Sequence, residues 1–314
     1  MKIAVLGSTQ YSTKCAETLI QDKSIKIEWI VTPIAKPIGK NKILTCSPLE
    51  PFANKNNIQL VNVTGKIDAD LKNQIESLPQ PDYLLVVDFG YFIPEWLLDL
   101  PKIKPLNIHP SALPKWRGSS PGQFALLFGE KTSAVTIIEM TNTFDAGPIF
   151  AQHAFSVAPD WNYRQYYDFA YDLVCANLVA DIVKHSTGQA MTVTQPEISP
   201  TLTAHKLTRD DGFIPWELVV AAQNNTQSEE VNLTDVLTKA LEHHRLPATM
   251  IEHAIRAFSP WPQVWTLVNT AKGEKRMKLL SATIENEKLV LGSVQIEGKK
   301  AARWSEVKNG LSNS

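Results

Sequence analysis

Asn107 and His109 stand two residues apart at the end of an apolar run, and Asp145 follows in a Gly-containing loop after the next β-rich segment. On a strand, residues i and i+2 point to one side, so the amide and the imidazole share a face. At the carboxyl end of a strand in an open α/β sheet, that face can meet a ligand. An Asn amide can donate to a developing oxyanion, and an imidazole can move a proton near neutral pH. Asp145 could return toward His109 and fix its protonation. No nucleophile stands beside the base, which points to direct attack by a substrate amine and away from a covalent enzyme intermediate. The chemistry that fits is transfer of a one-carbon acyl group to an amine. Taken singly, the His, the Asn and the Asp-x-Gly are ordinary turn or structural residues; only their joint order carries the reading.

The elements that must position these groups are legible as alternating runs. Lys2–Leu6 reads as a buried strand, Gly7-Ser8 as a turn, Ser12–Gln21 as a helix and Ile25–Val31 as the next strand. Short helices are expected at Pro51–Asn57 and Ala69–Ser77, and strands at Gln59–Val63 and Tyr83–Val87, the last apolar throughout. A helix starting at Pro121 and strands at Val135–Met140 and Phe150–Phe155 follow. Tyr163–Lys184 has helical spacing, with Tyr166, Phe169, Ala170, Leu173 and Leu178 on a core-facing side. Strands alternating with helices argue for a mostly parallel sheet with helices on both faces. Gly7 alone marks a tight turn and no dinucleotide fingerprint, since no GxGxxG follows. Thr32–Pro48 reads as a loop whose charges are all positive. Ser186–Thr203, rich in Thr, Gln and Pro, reads as a linker. Gln223–Leu246 is polar, then weakly helical. Short strands at Lys278–Ile284, Lys288–Leu291 and Ser293–Ile296 point to a small barrel-like domain.

The 314 residues suit two domains with ample core, and a formal charge of -1 announces no overall basic field. Nucleic-acid contact must then come from local patches. Lys272–Lys308 holds nine basic residues against five acidic, an excess that can track a phosphate backbone. Cys15, Cys46 and Cys175 show no metal or disulfide spacing, as suits a reducing cytoplasm. His243, His244 and His253 form no metal set and are expected at the surface. No apolar run is long enough for a signal peptide or a membrane span, so a cytoplasmic protein is expected.

Asn107-Ile108-His109-Pro110-Ser111-Ala112-Leu113-Pro114, with Trp116-Arg117-Gly118 and Asp145-Ala146-Gly147, resembles the 10-formyltetrahydrofolate-dependent formyltransferases. Lys206–Trp216 and Ile251–Trp265, notably Arg256-Ala257-Phe258 with Pro260-Trp261-Pro262, resemble the branch that acts on charged tRNA. The resemblance covers nearly the whole chain and is weak over Gln223–Leu246. It implies that Asn107, His109 and Asp145 are the catalytic set and that Ser111, Ala112, Leu113 and Pro114 lie against the folate. Phe89, Gly90 and Tyr91 would line the pterin pocket, largely through main-chain groups. Lys36, Lys40 and Lys42 would enter the acceptor end of the tRNA. Ala112 departs from the family's usual Leu, and Lys40 stands where an Arg is favoured, keeping the charge but losing the bidentate fork. Asp88 stands where a small residue is common.

The implied organisation is α/β. A Rossmann-like formyltransferase domain spans 1–188, a linker 189–207, and a small OB-like, tRNA-binding barrel 208–314. The implied donor is 10-formyltetrahydrofolate, with no metal; the implied acceptor is initiator methionyl-tRNA, and the implied state is a monomer. Residues alone lead only to an α/β acyl-transfer enzyme; the folate and the tRNA come from the family. A formyltransferase for a nucleotide sugar or glycinamide ribonucleotide, a formyltetrahydrofolate hydrolase and a non-catalytic tRNA-binding protein are the alternatives.

Overall fold

The apolar runs of the first half become the strands of one sheet. In the computed structural model, which describes residues 1–38, 42–226 and 231–311, β1 (Lys2–Gly7) is followed by α1 (Gln10–Gln21) and β2 (Lys26–Pro33). Thr9 caps α1 by accepting from the Tyr11 amide, and the Ser12 side chain returns the bond in a capping box. The helix therefore starts two residues earlier than its apolar pattern suggests. Two compact units divide the chain. The first comprises Met1–Gly118, Ala134–Phe155 and Asp168–Thr203; the second comprises Ser119–Ser133, Ser156–Tyr167 and Ala204–Ser314.

Residues 32–48, expected as a loop, contain an antiparallel hairpin of β3 (Lys36–Ile38) and β4 (Ile43–Thr45), with Lys36 opposite Thr45. Pro37 is tolerated because each strand has a single partner, so a missing N–H can face away from the ladder. Lys40 lies outside the described residues. Next come α2 (Leu49–Lys55), β5 (Gln59–Val63), α3 (Ala69–Glu76), β6 (Tyr83–Val87), α4 (Glu95–Leu98) and β7 (Lys104–His109). After α5 (Pro121–Leu127), β8 (Thr132–Glu139) and β9 (Ile149–Ser156) complete a seven-stranded sheet of order β5-β2-β1-β6-β7-β8-β9. β1, β2, β5, β6 and β7 are parallel, and β8 runs antiparallel to β7. Strand order reverses between β1 and β6, so the carboxyl ends there open a crevice. β6 is buried along its whole length, as a central parallel strand should be.

Helix α6 (Tyr163–Ser186) buries Tyr166, Ala170 and Leu178 as its spacing predicts, but Phe169 is half exposed. In the second unit, the chain after Thr203 forms α7 (Trp216–Asn224), α8 (Asp235–His244) and α9 (Pro247–Ala257). α9 buries Met250, Ile251, Ala254 and Ile255, a stripe at helical spacing that packs against α5 and the sheet. That sheet is antiparallel, ordered β10 (Val264–Thr270), β11 (Gly273–Glu285), β12 (Lys288–Ile296) and β13 (Ala302–Arg303). A helical turn, α10 (Trp304–Val307), follows β13. The expected break at Gly292 is absent, because register shifts around Ser281 let β12 run on as one strand.

The two C-terminal segments that carry the family resemblance meet each other. Asp211 accepts from the Thr208 amide and hydroxyl at 2.7 and 2.8 Å, and the Ile214 amide donates to the Trp265 carbonyl. A side chain at Gly212 would overlap the Gln263 carbonyl, so only glycine allows this approach. Arg256 grips Glu252 with two nitrogens and donates a third bond to the Trp161 carbonyl.

Of the three histidines expected at the surface, only His243 is exposed. His244 donates to the Leu127 carbonyl at 2.7 Å, and the His253 ring stands perpendicular to it, 4.6 Å away. Burial pushes the His253 imidazole down to about 4, and the charges of Arg256 and His244 add to the fall. The unfolded chain takes up a proton near pH 6.5, whereas the folded one resists until about 4. Stability from this group is therefore full above pH 6.5 and is lost as pH falls toward 4, by about 3 kcal/mol at most. Urea midpoints measured at pH 7.5 and 5.0 should separate clearly for the parent protein, and His253→Gln should narrow the gap. An equal gap in both proteins would assign the acid sensitivity elsewhere.

Candidate active site

β7 carries Asn107 and His109 on one face at its carboxyl end. Asn107 lies opposite Val86 of β6 and Ile138 of β8, and His109 opposite Thr136. Asn107 is half-buried, and its amide makes no hydrogen bond among the described residues. It is thus free to donate to a ligand oxygen. His109 is only 4% exposed, and both its ring nitrogens face oxygens. Nε2 lies 3.0 Å from the Trp116 carbonyl and Nδ1 lies 3.6 Å from Asp145 Oδ2. A carbonyl only accepts, so Nε2 carries the proton in the first contact. The second is a charge contact longer than a hydrogen bond.

Asp145 returns to β7 because its loop is tied at several points. Its Oδ2 accepts from the Gly118 amide at 2.9 Å, and its own carbonyl accepts from Gln195 Nε2 at 2.9 Å. Gly147 allows the loop to lie flat on β8, since a Cβ there would overlap the Glu139 carbonyl oxygen. The Glu139 amide in turn donates to the Pro148 carbonyl. The Asp-x-Gly is therefore a close-approach motif as well as a turn.

Three non-glycine residues around the crevice adopt left-handed backbone: Asp88 (φ 48), Trp116 (φ 59) and Asp145 (φ 52). Each costs of order 1–2 kcal/mol, so the surroundings must hold it. The Ser8 hydroxyl donates to the Asp88 carbonyl at 2.6 Å. Thr201 Oγ1 accepts from the Trp116 amide at 2.7 Å. Asp88, unexplained by sequence, thus occupies the residue after β6 where Asp tolerates positive φ better than most side chains. Part of it faces solvent, yet surrounding protein desolvates the carboxyl and holds it above the ordinary range, a shift the Thr9 hydroxyl partly offsets.

The stretch read as a linker is bonded to the site. Val193 pairs with Ile149 at the sheet edge, Ser199 donates to the Pro114 carbonyl, and Gln195 bridges the Asp145 and Gly147 carbonyls. Arg117 is buried and donates to Gln195 Oε1 and to the carbonyls of Pro196 and Glu197. No motif or spacing marks Gln195, Ser199 and Thr201. A Gln in a charge-poor, Pro-containing stretch carries no local sign that its amide will be buried.

The remaining expected binding residues fall in two places. Ser111 and Leu113 are buried and Ala112 and Pro114 half-buried in the turn after β7, where the Ser111 hydroxyl donates to the Lys115 carbonyl and Thr136 Oγ1 donates to the Ser111 carbonyl. Leu113 and Pro114 also line a cavity of about 400 Å3 with Phe150, Gln152, Val193 and Gln195; the Asn–His–Asp set does not line it. After β6, the Phe89 and Tyr91 rings lie 5.2 Å apart, packed on the sheet core, and Gly90 is exposed. Lys36 on the hairpin donates to the Tyr91 hydroxyl at 2.8 Å and sits over its ring. Lys42 is exposed at the hairpin turn. Among the described residues, no group of three or more His, Cys, Asp or Glu side chains could hold a metal ion, and no helix is long and apolar enough to cross a membrane.

A doubly wound sheet that gathers an amide, an imidazole and a carboxylate beside its crevice defines a Rossmann-like group-transfer enzyme. Comparison with known proteins gives the particular family. Residues 1–179 match the formyl transferase family and residues 241–289 match its C-terminal domain, and this chain belongs to that family. The methionyl-tRNA formyltransferase of Enterococcus faecalis is 30% identical over 224 residues, 71% of either protein. That of Staphylococcus epidermidis (strain ATCC 12228) is 27% identical over 100% of this chain and 97% of its own length. The match to the Anaplasma marginale protein of the same name, 33% identical, spans only about half of each (49% and 50%). Among solved structures, a sugar 3N-formyl transferase superposes with a TM-score of 0.59 at 18% identity, covering 96% of this chain and 99% of that one. The Clostridium thermocellum methionyl-tRNA formyltransferase gives 0.56 at 14% identity, covering 94% and 98%. At such identities the superpositions speak to fold.

Proposed function

We propose that this enzyme transfers the formyl group of 10-formyltetrahydrofolate to the α-amine of methionine esterified to initiator tRNA. The observation that carries the chemistry is the convergence of Asn107, His109 and Asp145, with the Asn107 amide uncommitted. Similarity along all or most of the chain to proteins named methionyl-tRNA formyltransferase supports the acceptor. The neutral amine, with a pKa of about 8, attacks the formyl carbon and forms the new C–N bond. Asn107 and protonated His109 stabilise the oxyanion, a donor of this kind being worth roughly 3–4 kcal/mol. Asp145 Oδ2, 3.6 Å from Nδ1, orients the imidazole. As the tetrahedral centre collapses, the bond to the folate nitrogen breaks, and that nitrogen receives the proton the amine loses. Proton transfer activates the leaving group, so the route needs no metal.

In the same reading, residues 1–188 hold the catalytic machinery, joined through 189–207 to a tRNA-binding part at 208–314. Ser111–Pro114 and Phe89–Tyr91 hold the folate, and Lys36, Lys40 and Lys42 face the tRNA. The enzyme works in the cytoplasm as a monomer. A formyl-transfer assay offering charged initiator tRNA, an amino-sugar nucleotide, or no acceptor tests the assignment. Product on the tRNA alone is expected. Transfer to the sugar, or donor hydrolysis without acceptor, would replace it.

Lys42 and Lys36 should behave differently. Lys42→Ala removes a phosphate partner and should lower the slope of log affinity against log salt for charged tRNA by about 0.7–0.9. Lys36 is tied to Tyr91, so Lys36→Met should weaken donor binding as well. Unaltered salt dependence in Lys42→Ala would take the hairpin out of the tRNA contact.

A further inference from the structure

Helices α1 and α6 meet through a row of side chains that the formyl-transfer chemistry does not use. Tyr11 stacks on Tyr171 with ring centroids 4.4 Å apart, and its hydroxyl donates to Asp168. Lys14 pairs with Asp172. In the same row, Cys15 Sγ lies 3.6 Å from Cys175 Sγ. A disulfide bond is about 2.0 Å, so the sulfurs need close by only roughly one and a half ångström. Stacking and ion pairing on the same two helices keep them facing.

We propose that Cys15 and Cys175 form a peroxide-responsive pair that closes to an internal disulfide joining α1 to α6. The two thiols differ in the way such a reaction needs. Cys175 is partly exposed, whereas Cys15 is fully buried. The hydrogen bond between the two sulfurs holds the Cys175 pKa below the ordinary thiol value against the opposing effect of burial, with Thr18 and Lys14 acting in the same direction. Cys15 is correspondingly raised, chiefly by that hydrogen bond and by burial. The Cys175 thiolate is thus the nucleophile that meets hydrogen peroxide. It attacks one peroxide oxygen, the O–O bond breaks, and a sulfenic acid forms; the departing hydroxide takes up the proton the Cys175 thiol released on ionising and leaves as water. Cys15 sulfur then attacks the sulfenic sulfur, the S–O bond breaks, and the Cys15 proton leaves with the departing hydroxide as a second water. Two thiols are oxidised and one peroxide is reduced. The third cysteine, Cys46, is exposed and stands apart from this pair.

The full-length protein, reduced and then treated with stoichiometric peroxide, tests this directly. Thiol titration after denaturation should fall from three to one, and peptide mapping should recover Cys15 joined to Cys175 in the monomer. Dithiothreitol should restore all three. The cross-link spans 160 residues of chain and should raise Tm by roughly 5–10 °C. In Cys15→Ser, the Cys175 sulfenic acid should persist and be trapped by dimedone. A treated parent protein that keeps a free Cys15 thiol, or that bridges through Cys46 between molecules, overturns the proposal. Because the readouts are thiol state and Tm, this outcome is independent of which acceptor the enzyme formylates.

Discussion

His109→Ala is expected to lose about three orders of magnitude in kcat/KM for formyl transfer while still binding the folate donor. The imidazole is held at 3.0 Å from the Trp116 carbonyl and 3.6 Å from Asp145, and it shares a strand face with Asn107. Alanine removes the proposed oxyanion donor and proton carrier, and leaves untouched the loop after β6 that is proposed to hold the folate. The loss should fall on kcat with a small change in donor Kd, since the interactions removed are strongest in the transition state. Stopped reactions under single-turnover conditions, with donor affinity measured separately by calorimetry, read the two quantities independently. Near-parent turnover would reject the assignment of His109; lost donor affinity with unchanged single-turnover rate at saturation would make it a binding residue.

Gly147→Ala is expected to be nearly as damaging without touching any reacting group. Its Cβ would overlap the Glu139 carbonyl oxygen, a backbone atom of β8 that cannot swing aside. The loop must lift, and Asp145 lifts with it, away from His109 and from the Gly118 amide. A displacement of about 1 Å at a catalytic constellation can cost roughly 100-fold in rate. Overpacking against a strand should also cost roughly 2–3 kcal/mol of stability. Kinetics at 20 °C with a parallel urea titration would show both. A variant with parent kcat and parent midpoint would mean that the close approach is not needed to place Asp145.

Much of the first unit is legible in the chain because its signals are local. β1 and β6 are apolar runs bounded by turn residues, and the two-residue spacing of Asn107 and His109 on a strand fixes their common face. Whether Asp145 reaches them is not local. It depends on a left-handed backbone at Asp145, a glycine beneath it and a Gln fifty residues downstream, none of which has a period. The hairpin at 36–45 is hidden for a related reason: Pro33, Pro37 and the lysines all argue against strand, and pairing within an isolated ribbon overrides them. His253 misleads in the opposite direction. A histidine beside Glu252 reads as solvated, yet α9 turns it onto His244 beneath Gly129.

A crystal structure of the enzyme with a stable formyl folate bound measures the arrangement most directly. The formyl oxygen is expected within about 3 Å of the Asn107 amide nitrogen, with His109 beside the same carbon and Asp145 behind the ring. A formyl group seated in the crevice but out of reach of all three side chains would contradict it.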